Sequence, residues 1–285
     1  LCLPGDEVII QTPAYNCFFS SVRNSGLVLS ENALKLVNGR WEIDFEDLEE
    51  RASREKARAL LFCNPQNPTG RVWTRDELTR VAEICEKHGI FLISDEIHGE
   101  LTAEGFRYTP LASVSPWTKD HVITASAASK AFNIAGLQTA YIIAPVAEAR
   151  NRIDRQININ EVCDPNPLGI EALIAAYSDR GALNHSLDGN RKVIEEFVRE
   201  SLPGCFLSPQ EGTYLPWIDF SSFGKTSTEI EKELLHGYHV RVNGGAHYGE
   251  TSPGWIRINI ATPRARLRKG LRRIALWAED ERKKG

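Results

Sequence analysis

The chain of 285 residues contains 34 lysines and arginines against 38 aspartates and glutamates, a formal net charge of −4. Hydrophobic residues make up 42% and charged residues 25% of the sequence, which is typical of a globular protein and excludes a disordered or fibrous one. The negative net charge provides no overall field that would attract nucleic acid or an anionic membrane. The longest apolar runs have the length of a strand, which excludes a membrane span. We therefore expect roughly two domains, at about 150 residues each, with neither nucleic acid nor a membrane as partner.

The cysteines show no CxxC motif, no paired spacing and no histidine in metal-ligand register. The six are Cys2, Cys17, Cys63, Cys85, Cys163 and Cys205. Neither a zinc site nor a disulfide framework is therefore expected, and the predicted location is the reducing cytoplasm. The chain opens on Leu-Cys-Leu-Pro-Gly-Asp, which is typical of a turn, and contains no methionine. We expect a fragment whose natural N-terminus lies upstream.

In the first half of the chain, strand and helix patterns alternate. Strands are predicted at residues 7–12, 58–63, 91–94, 122–125 and 139–144, each a short run rich in apolar residues. Helices are predicted at residues 15–24 and 44–54. A further helix begins at Thr74, which forms a capping box with Glu77, and ends before Gly89. Apolar strands separated by helices indicate an α/β fold, with a mainly parallel sheet covered by helices on both faces.

After Arg150 the helical pattern dominates. Helices are predicted at residues 146–158, 168–178 and 188–200 and from Arg264 onward, and strands at 214–219, 240–242 and 255–260. We therefore expect a large domain over residues 1–183, whose N-terminal part is missing, and a smaller C-terminal α/β domain over residues 184–285.

Lys130 follows a predicted strand and lies among small and apolar residues, in the stretch Ser126-Ala-Ala-Ser-Lys-Ala-Phe-Asn. A lysine there is either exposed, with its stem along an apolar surface, or held in an apolar pocket. In such a pocket desolvation lowers its pKa and frees the amine to attack a carbonyl group. The residue types alone leave both interpretations open.

Two polar residues follow other predicted strands. Asp95 comes directly after residues 91–94, where its carboxylate can hold a cationic ring nitrogen or cap a helix. Asn67 lies in the rigid turn Asn64-Pro-Gln-Asn-Pro-Thr-Gly, where its amide can hydrogen-bond a phenolate or serve the turn itself. Because the carboxyl ends of parallel strands meet at one edge of a sheet, Asn67, Asp95 and Lys130 are predicted to lie together.

This order of asparagine, aspartate and lysine matches the fold-type I pyridoxal-phosphate enzymes. The sequence resembles the cystathionine β-lyase, or C–S lyase, branch of the class I and II aminotransferase superfamily. The matching stretches run from one end of the chain to the other: Pro4-Gly-Asp, Gln11-Thr-Pro-Ala-Tyr15, Cys63-Asn-Pro-Gln-Asn-Pro-Thr-Gly-Arg71-Val-Trp73, Ser94-Asp-Glu-Ile-His98, Ser129-Lys-Ala-Phe-Asn-Ile-Ala-Gly-Leu-Gln138, Gly212-Thr-Tyr-Leu and Gly254-Trp-Ile-Arg257-Ile-Asn259. The resemblance implies the fold-type I architecture, pyridoxal 5'-phosphate as cofactor, an amino-acid substrate and a homodimer. It also implies that the glycine-rich turn that cradles the cofactor phosphate lies upstream of this chain.

The resemblance assigns a role to each matched polar residue. Lys130 binds the cofactor covalently and then moves protons at the substrate Cα, and Asp95 keeps the pyridine nitrogen protonated. Asn67 hydrogen-bonds the phenolic oxygen of the cofactor, and Tyr15 stacks on the face of its ring. Arg257 binds the α-carboxylate of the substrate with its planar, two-pronged guanidinium group.

Some positions depart from the pattern of the aminotransferases proper. Gln138 stands where those enzymes often have an arginine that binds the cofactor phosphate, and Ala127 stands where they have a serine. His98 stands where many have a tyrosine that contacts the ring oxygen, so His98 is predicted to contact the cofactor. Ser129 and Ser126 remain as predicted phosphate ligands. These departures favour the C–S lyase branch.

The predicted activity is the β-elimination of L-cysteine thioethers such as cystathionine, which yields a thiol, pyruvate and ammonia. An aminotransferase that uses the same residues is the alternative. A non-catalytic regulatory protein is a third hypothesis, but a scaffold has no need of Asn67, Asp95, Lys130 and Arg257 together.

Two features near the C-terminus have simpler interpretations. His247 lies in a loop that the resemblance puts near the substrate, but a solvated histidine is more common there than an acid or base. Residues 264–284 carry nine lysines and arginines against three acidic residues. Their apolar residues form one helical stripe, Leu267, Leu271, Ile274 and Ala278. The stripe predicts a surface helix with a solvated basic face rather than a nucleic-acid site.

Overall fold

The computed structural model describes residues 1–162, 164–178 and 182–284. The strands, in chain order, are β1 (Glu7–Thr12), β2 (Val28–Ala33), β3 (Lys35–Val37), β4 (Arg40–Glu42), β5 (Ala57–Cys63), β6 (Phe91–Asp95), β7 (Ile123–Ser126), β8 (Tyr141–Ile143), β9 (Phe206–Leu207), β10 (Trp217–Asp219), β11 (Asn243–Gly244) and β12 (Trp255–Arg257). The α-helices are α1 (Asn16–Asn24), α2 (Phe45–Ala52), α3 (Arg75–His88), α4 (Pro116–His121), α5 (Ala147–Ile159), α6 (Pro167–Ser178), α7 (Ala182–Ser201), α8 (Ser227–Tyr238) and α9 (Arg264–Arg282).

The larger sheet has the strand order β2-β1-β5-β6-β7-β8. Its neighbouring strands are parallel except for β7 and β8, which pair antiparallel. The prediction of a mainly parallel α/β sheet is therefore confirmed. A smaller antiparallel sheet has the order β11-β12-β10-β9, and β3 and β4 form a separate hairpin.

Helix α3 illustrates how the local sequence determines an element. Thr74 accepts a hydrogen bond from the N–H of Glu77, whose carboxylate accepts from the N–H of Thr74, so the predicted capping box is formed. Gly89 ends the helix with a φ of 64°, a left-handed conformation that glycine adopts without steric cost. The predicted boundaries of this helix are confirmed.

The prediction of a strand at residues 240–242 is wrong. The N–H of Val240 donates to the carbonyl of Leu234, so this segment closes the C-terminal end of α8. His239 precedes it with a φ of 55°, which turns the chain. The pairing with β12 is made one residue further on, by Asn243 and Gly244.

Strand β2 and the β3–β4 hairpin have no counterpart in the predicted elements. Strand β2 reads Val-Leu-Ser-Glu-Asn-Ala, and its buried residues are the polar Ser30 and Asn32 rather than apolar ones. Asn32 is held by side-chain partners, because its amide donates to the carbonyl of Asp44 and to the carboxylate of Asp47. Apolar patterning therefore could not reveal this edge strand.

The buried apolar residues form separate clusters. One lies on the larger sheet, around α2 and α3, and includes Trp217 and Trp255 from the smaller sheet. Another is built entirely from residues between Val193 and Ala278. Helix α7 runs through the predicted boundary at residues 183–184, and residues 179–181 lie outside the described ranges, so the division into two domains stays a prediction.

Within the described ranges, no helix is long and apolar enough to cross a membrane. The described cysteines are all free: Cys2, Cys17, Cys63, Cys85 and Cys205. Cys163 lies outside the described residues.

A buried ion pair joins the loop after β5 to the chain that leads into the smaller sheet. Arg71 Nε lies 3.0 Å from Glu211 Oε2, and the two side chains are 1% and 3% exposed. Glu211 also accepts hydrogen bonds from the N–H of Val72 at 3.0 Å and from Arg40 Nε at 2.7 Å. Arg71 Nη2 donates to both carboxylate oxygens of Glu77 at 2.8 Å. Both buried charges are thus fully partnered.

Replacing Glu211 with alanine should lower the free energy of unfolding by about 3 kcal/mol. The reason is that the buried guanidinium of Arg71 loses the carboxylate that pairs with its Nε and keeps only Glu77 as a negatively charged partner. Urea unfolding measures the change. Glu200→Ala is the matched control, since its pair with Arg199 is 61–69% exposed and a surface change of this kind costs within about 0.5 kcal/mol. Equal losses in the two variants would contradict a structural role for the buried pair.

Candidate active site

The carboxyl ends of β5, β6 and β7 form the edge at which the predicted site residues meet. Asp95 ends β6, and it lies opposite Cys63 of β5 and Ala125 of β7 in the strand registers. Asn67 lies in the loop that follows β5, and Lys130 in the turn that follows β7. The two loops therefore flank the carboxylate of Asp95.

Asp95 carries a carboxylate with one oxygen available to a ligand. Its Oδ1 accepts from the N–H of Ile97 at 3.1 Å, and this is the one hydrogen bond of that side chain in the part of the chain that is described. Burial raises the pKa of Asp95 to about 6, although the Ile97 hydrogen bond and the charge of Lys130 both act to lower it. A cation placed at Oδ2 would stabilise the ionised form.

Lys130 is partly buried beside this carboxylate. Its amine makes neither an ion pair nor a hydrogen bond within the described ranges, so it is available to react. Its charge is close enough to act on the pKa of both Asp95 and His98.

His98 is a neutral group at this site. Burial and, next, the charges of Lys130 and Arg257 lower the pKa of its ring to about 3. The ring packs edge-on against Tyr214, with 6.0 Å between the ring centroids. Its buried Nδ1 has no partner among the described residues.

Arg257 reaches the same edge from the smaller sheet. It ends β12, and its Nη1 donates to Asn67 Oδ1 at 3.0 Å while Nη2 lies 3.4 Å from Asn243 Oδ1. The guanidinium lies 4.8 Å from the centre of the Tyr248 ring, and burial lowers its pKa. Its buried Nε has no partner, and no carboxylate pairs with it in the described chain. The charge of Arg257 is therefore available to an anion.

Tyr15 precedes α1 and lies near both charges of the site. A hydrogen bond with Cys17 and, next, burial raise the pKa of its hydroxyl to about 12, while Arg257 acts to lower it. The ring packs edge-on against Phe18 at 6.3 Å, which fixes its orientation.

The two predicted phosphate ligands differ. Ser126 Oγ donates to the carbonyl of Glu96 at 3.3 Å, so its proton is already used. Ser129 precedes Lys130 directly, and its hydroxyl makes no hydrogen bond in the described part of the chain. Ser129 is thus the freer of the two.

Three neighbours of the site, Tyr214, Asn243 and Tyr248, were not predicted from the sequence. The roles of Asn243 and Tyr248 depend on strand pairing between β11 and β12 and on a short turn at residues 245–248, and that of Tyr214 depends on its packing against His98. His247 Nε2 lies 3.2 Å from Glu231 Oε2 on the exposed side of the turn at residues 245–248.

The α/β fold and this set of polar residues match the class of fold-type I pyridoxal-phosphate enzymes. Comparison with known proteins identifies the family. The chain matches the model of the family "Aminotransferase class I and II" over residues 1–274, and it belongs to that family. It is 36% identical over 275 residues to cystathionine beta-lyase PatB of Bacillus subtilis, which covers 95% of this chain and 71% of that protein. It is 32% identical over 272 residues to protein MalY of Escherichia coli, which covers 94% of this chain and 69% of that protein.

Solved structures agree with this assignment. Cystalysin from Treponema denticola, which contains a pyridoxal 5'-phosphate cofactor, superposes with a TM-score of 0.94 at 33% identity, over 98% of this chain and 72% of that one. The pyridoxal-phosphate-bound C–S lyase from Staphylococcus hominis, complexed with L-cycloserine, gives 0.89 at 34% identity, over 96% and 68%. The predicted family and fold are confirmed, and the cofactor of both structures is the one predicted from the sequence.

Asp95→Asn should stabilise the cofactor-free protein at pH 7.5 and have no such effect at pH 4. The pKa of Asp95 is raised from 3.8 to about 6, so between these values the native state binds more protons than the unfolded state and stability falls as the pH rises. At about 1.4 kcal/mol per pKa unit, the ionised carboxylate of Asp95 lowers the free energy of unfolding by up to about 3 kcal/mol above pH 6. An uncharged amide at this position removes that loss.

Urea unfolding at the two pH values measures the difference. Asp154→Asn on the exposed face of α5 is the control, and it should change stability equally little at both. A gain from Asp95→Asn that is the same at pH 4 and pH 7.5 would contradict the raised pKa.

Proposed function

We propose that this protein is a pyridoxal-phosphate-dependent C–S lyase. It converts an L-cysteine thioether such as cystathionine and one water molecule into a thiol, pyruvate and ammonia. The observation that carries the proposal is the arrangement of three groups at one sheet edge: the unpaired amine of Lys130, the partly buried carboxylate of Asp95 and the partly buried guanidinium of Arg257. The relatives and structures that carry the lyase name support the choice among the reactions of the family.

The polar groups without partners fit the cofactor. The free oxygen of Asp95 would hold the ring nitrogen, the Lys130 amine would bind the aldehyde carbon, and Asn67 would donate its side-chain N–H to the phenolic oxygen. The buried Nδ1 of His98 has no partner and would contact the ring, and Ser129 would contact the phosphate. Tyr15 would cover the ring face. When bound, pyridoxal phosphate supplies an electron-accepting ring conjugated to the amino group of the substrate.

Arg257 sets the orientation of the substrate. Its planar fork matches a carboxylate, which it would bind in a two-pronged manner. Its orientation is fixed from the other side by Asn67, Asn243 and the ring of Tyr248. Since these partners are neutral, the full charge of the guanidinium is left for the α-carboxylate, which positions the Cα–H bond for removal.

Lys130 moves the protons. Its amine removes the proton from the substrate Cα and is the general acid–base group at that carbon. His98 remains neutral at physiological pH, so it adds no positive charge that would compete with Arg257 for the carboxylate. The sulfur then leaves Cβ as a thiolate, which takes up a proton to give the thiol.

The purified protein, saturated with pyridoxal phosphate, should release thiol and pyruvate from cystathionine in a 1:1 ratio. Lys130→Ala should abolish this release, because the amine that moves the proton is lost, while circular dichroism shows an unchanged fold. Lys119→Ala, an exposed lysine on α4, is the control and should retain full activity.

The alternative reaction has a different readout. If the protein transfers the amino group to an α-keto acid without releasing thiol, it is an aminotransferase and the lyase proposal fails. If Lys130→Ala turns over at the rate of the natural protein, the site assignment fails instead.

Arg257→Lys should weaken the binding of the amino acid by roughly ten- to a hundredfold. The charge is retained but one prong of the fork is lost, and a charged hydrogen bond contributes on the order of 1.5–3 kcal/mol. The cofactor spectrum in the absence of substrate should not change, because Arg257 acts on the substrate carboxylate. KM from the thiol assay and an absorbance spectrum test the two statements, and a variant that loses cofactor instead would contradict the assigned role.

We further propose that the protein is a homodimer that buries an apolar surface formed by β8 and α6. Ile142 and Ile143 on the edge strand are 49% and 53% exposed, and Leu168 and Ile174 on α6 are 74% and 58% exposed. Apolar side chains at this density are typical of an interface. Sedimentation at the mass of two chains supports the proposal, and a monomer would contradict it.

A cytoplasmic location is also our proposal. It is supported by the free state of the five described cysteines, which is typical of a reducing compartment.

A further inference from the structure

A groove beside helix α9 is lined by positively charged side chains. We call it the α9 groove; it lies between residues 239–242 and α9, with residues 258–262 at one side, and has a volume of about 540 Å³. Four cationic side chains line it, those of Arg241, Arg266, Lys269 and Arg273, and no acidic residue does so among the described residues. Because acidic residues outnumber basic ones in the whole chain, this separation of charge is local.

The cations of the α9 groove have no counterions in the part of the chain that the structure describes. None of the four forms an ion pair within the described ranges. By contrast, Lys225, just before α8, pairs with both Glu233 and Glu281. Among the described residues, Arg273 is the one of the four whose side chain makes a hydrogen bond, which it donates to the carbonyl of His239 at 3.2 Å. Like charges gathered in one groove repel each other, so the empty groove is electrostatically unfavourable and a bound anion would relieve it.

The floor of the α9 groove is apolar. Val242, Ile258 and three residues of α9 form it, each at most 7% exposed. Gly270 lies in the interior of α9, where alanine would be more stable. A Cβ atom at Gly270 would meet nothing within 4 Å, so the packing of the helix does not require a glycine there. A larger side chain at this position would instead occupy the groove.

We propose that the α9 groove binds a small anion with two or more phosphate groups. The four cations converge on one cavity from two segments of the chain rather than lining an extended surface, which indicates a compact ligand with several charges. The volume lies within the range of about 300–1,000 Å³ that is typical of small-molecule sites. Arginine and lysine are the side chains that bind phosphate oxygens most strongly. The apolar floor can in addition pack against a base or another apolar group of the ligand.

This site is separate from the candidate active site. Val242 and Ile258 of the groove floor are the chain neighbours of Asn243 and Arg257, and Arg257 donates hydrogen bonds to both Asn67 and Asn243. Because side chains alternate between the two faces of an extended chain, the groove lies behind the strands that carry the substrate arginine. Binding in the groove can therefore be measured whether or not the lyase proposal is correct.

Isothermal titration of the protein saturated with pyridoxal phosphate, in 150 mM KCl, tests the proposal with inorganic triphosphate, ATP and adenosine. Saturation keeps the cofactor site from contributing a second phosphate site. We expect triphosphate and ATP to bind with a Kd below about 1 mM, more weakly as salt is raised, and adenosine not to bind. Equal affinities for triphosphate and ATP assign recognition to the phosphates alone, and tighter binding of ATP adds the apolar floor. Failure of both to bind would overturn the proposal.

Variants locate the binding. Arg241→Gln combined with Lys269→Gln should weaken triphosphate binding at least tenfold, while Lys56→Gln combined with Lys119→Gln, which removes two exposed charges elsewhere, should change it less than twofold. Gly270→Leu should block the groove with every cation retained and without lowering the melting temperature, since leucine is the better helix former. Unchanged binding in either groove variant would overturn the assignment, as would tighter binding of a single-stranded oligonucleotide than of triphosphate.

Discussion

The buried pair of Arg71 and Glu211 is the constraint on which the geometry of the candidate active site depends. A buried charge must be neutralised, so the loop that carries Arg71 and the segment that carries Glu211 have to remain together. Backbone contacts reinforce this, since the N–H of Gly212 donates to the carbonyl of Gly70 at 2.8 Å and Ser208 Oγ donates to the carbonyl of Thr69 at 2.7 Å. The turn that contains Asn67 is thereby attached to the chain that leads into the smaller sheet. This attachment allows Asn67 and Arg257, which are 190 positions apart in sequence, to form a hydrogen bond.

Desolvation determines the charge states at the site more than pairing does. Burial acts in opposite directions on Asp95 and His98, because it disfavours the anion in the first and the cation in the second. Arg257 is half-buried with amide and aromatic neighbours in place of a carboxylate partner, an arrangement that stability alone does not favour. A site of this kind is complementary to a ligand that brings a cation to Asp95 and an anion to Arg257. A protonated ring nitrogen and an amino-acid carboxylate have these two charges.

Part of this arrangement could be predicted from the sequence, because apolar strands, a capping box and polar residues at strand ends have local signals. Asn67, Asp95 and Lys130 each lie at the end of a strand or in the loop that follows one, so the topology alone brings them to one edge. The edge strand β2 could not be predicted, because its buried positions are polar and depend on partners such as Asp44 and Asp47. The positions of Tyr248 and Asn243 beside Arg257 depend on antiparallel pairing between strands of two or three residues. Pairs that short have no detectable period.

The two places where positive charge gathers differ in a way that explains what each can select. Arg257 is a single half-buried cation whose orientation is fixed by three neutral groups, so it discriminates by geometry and suits one carboxylate in one position. The α9 groove has four cations on flexible, mostly exposed side chains, so each contact is screened by salt and contributes little alone. Such a groove gains affinity only when one ligand engages several charges at once, which favours a polyphosphate over a single carboxylate. The amino-acid substrate therefore has no reason to occupy the groove, and a polyphosphate is poorly matched to the single fork of Arg257.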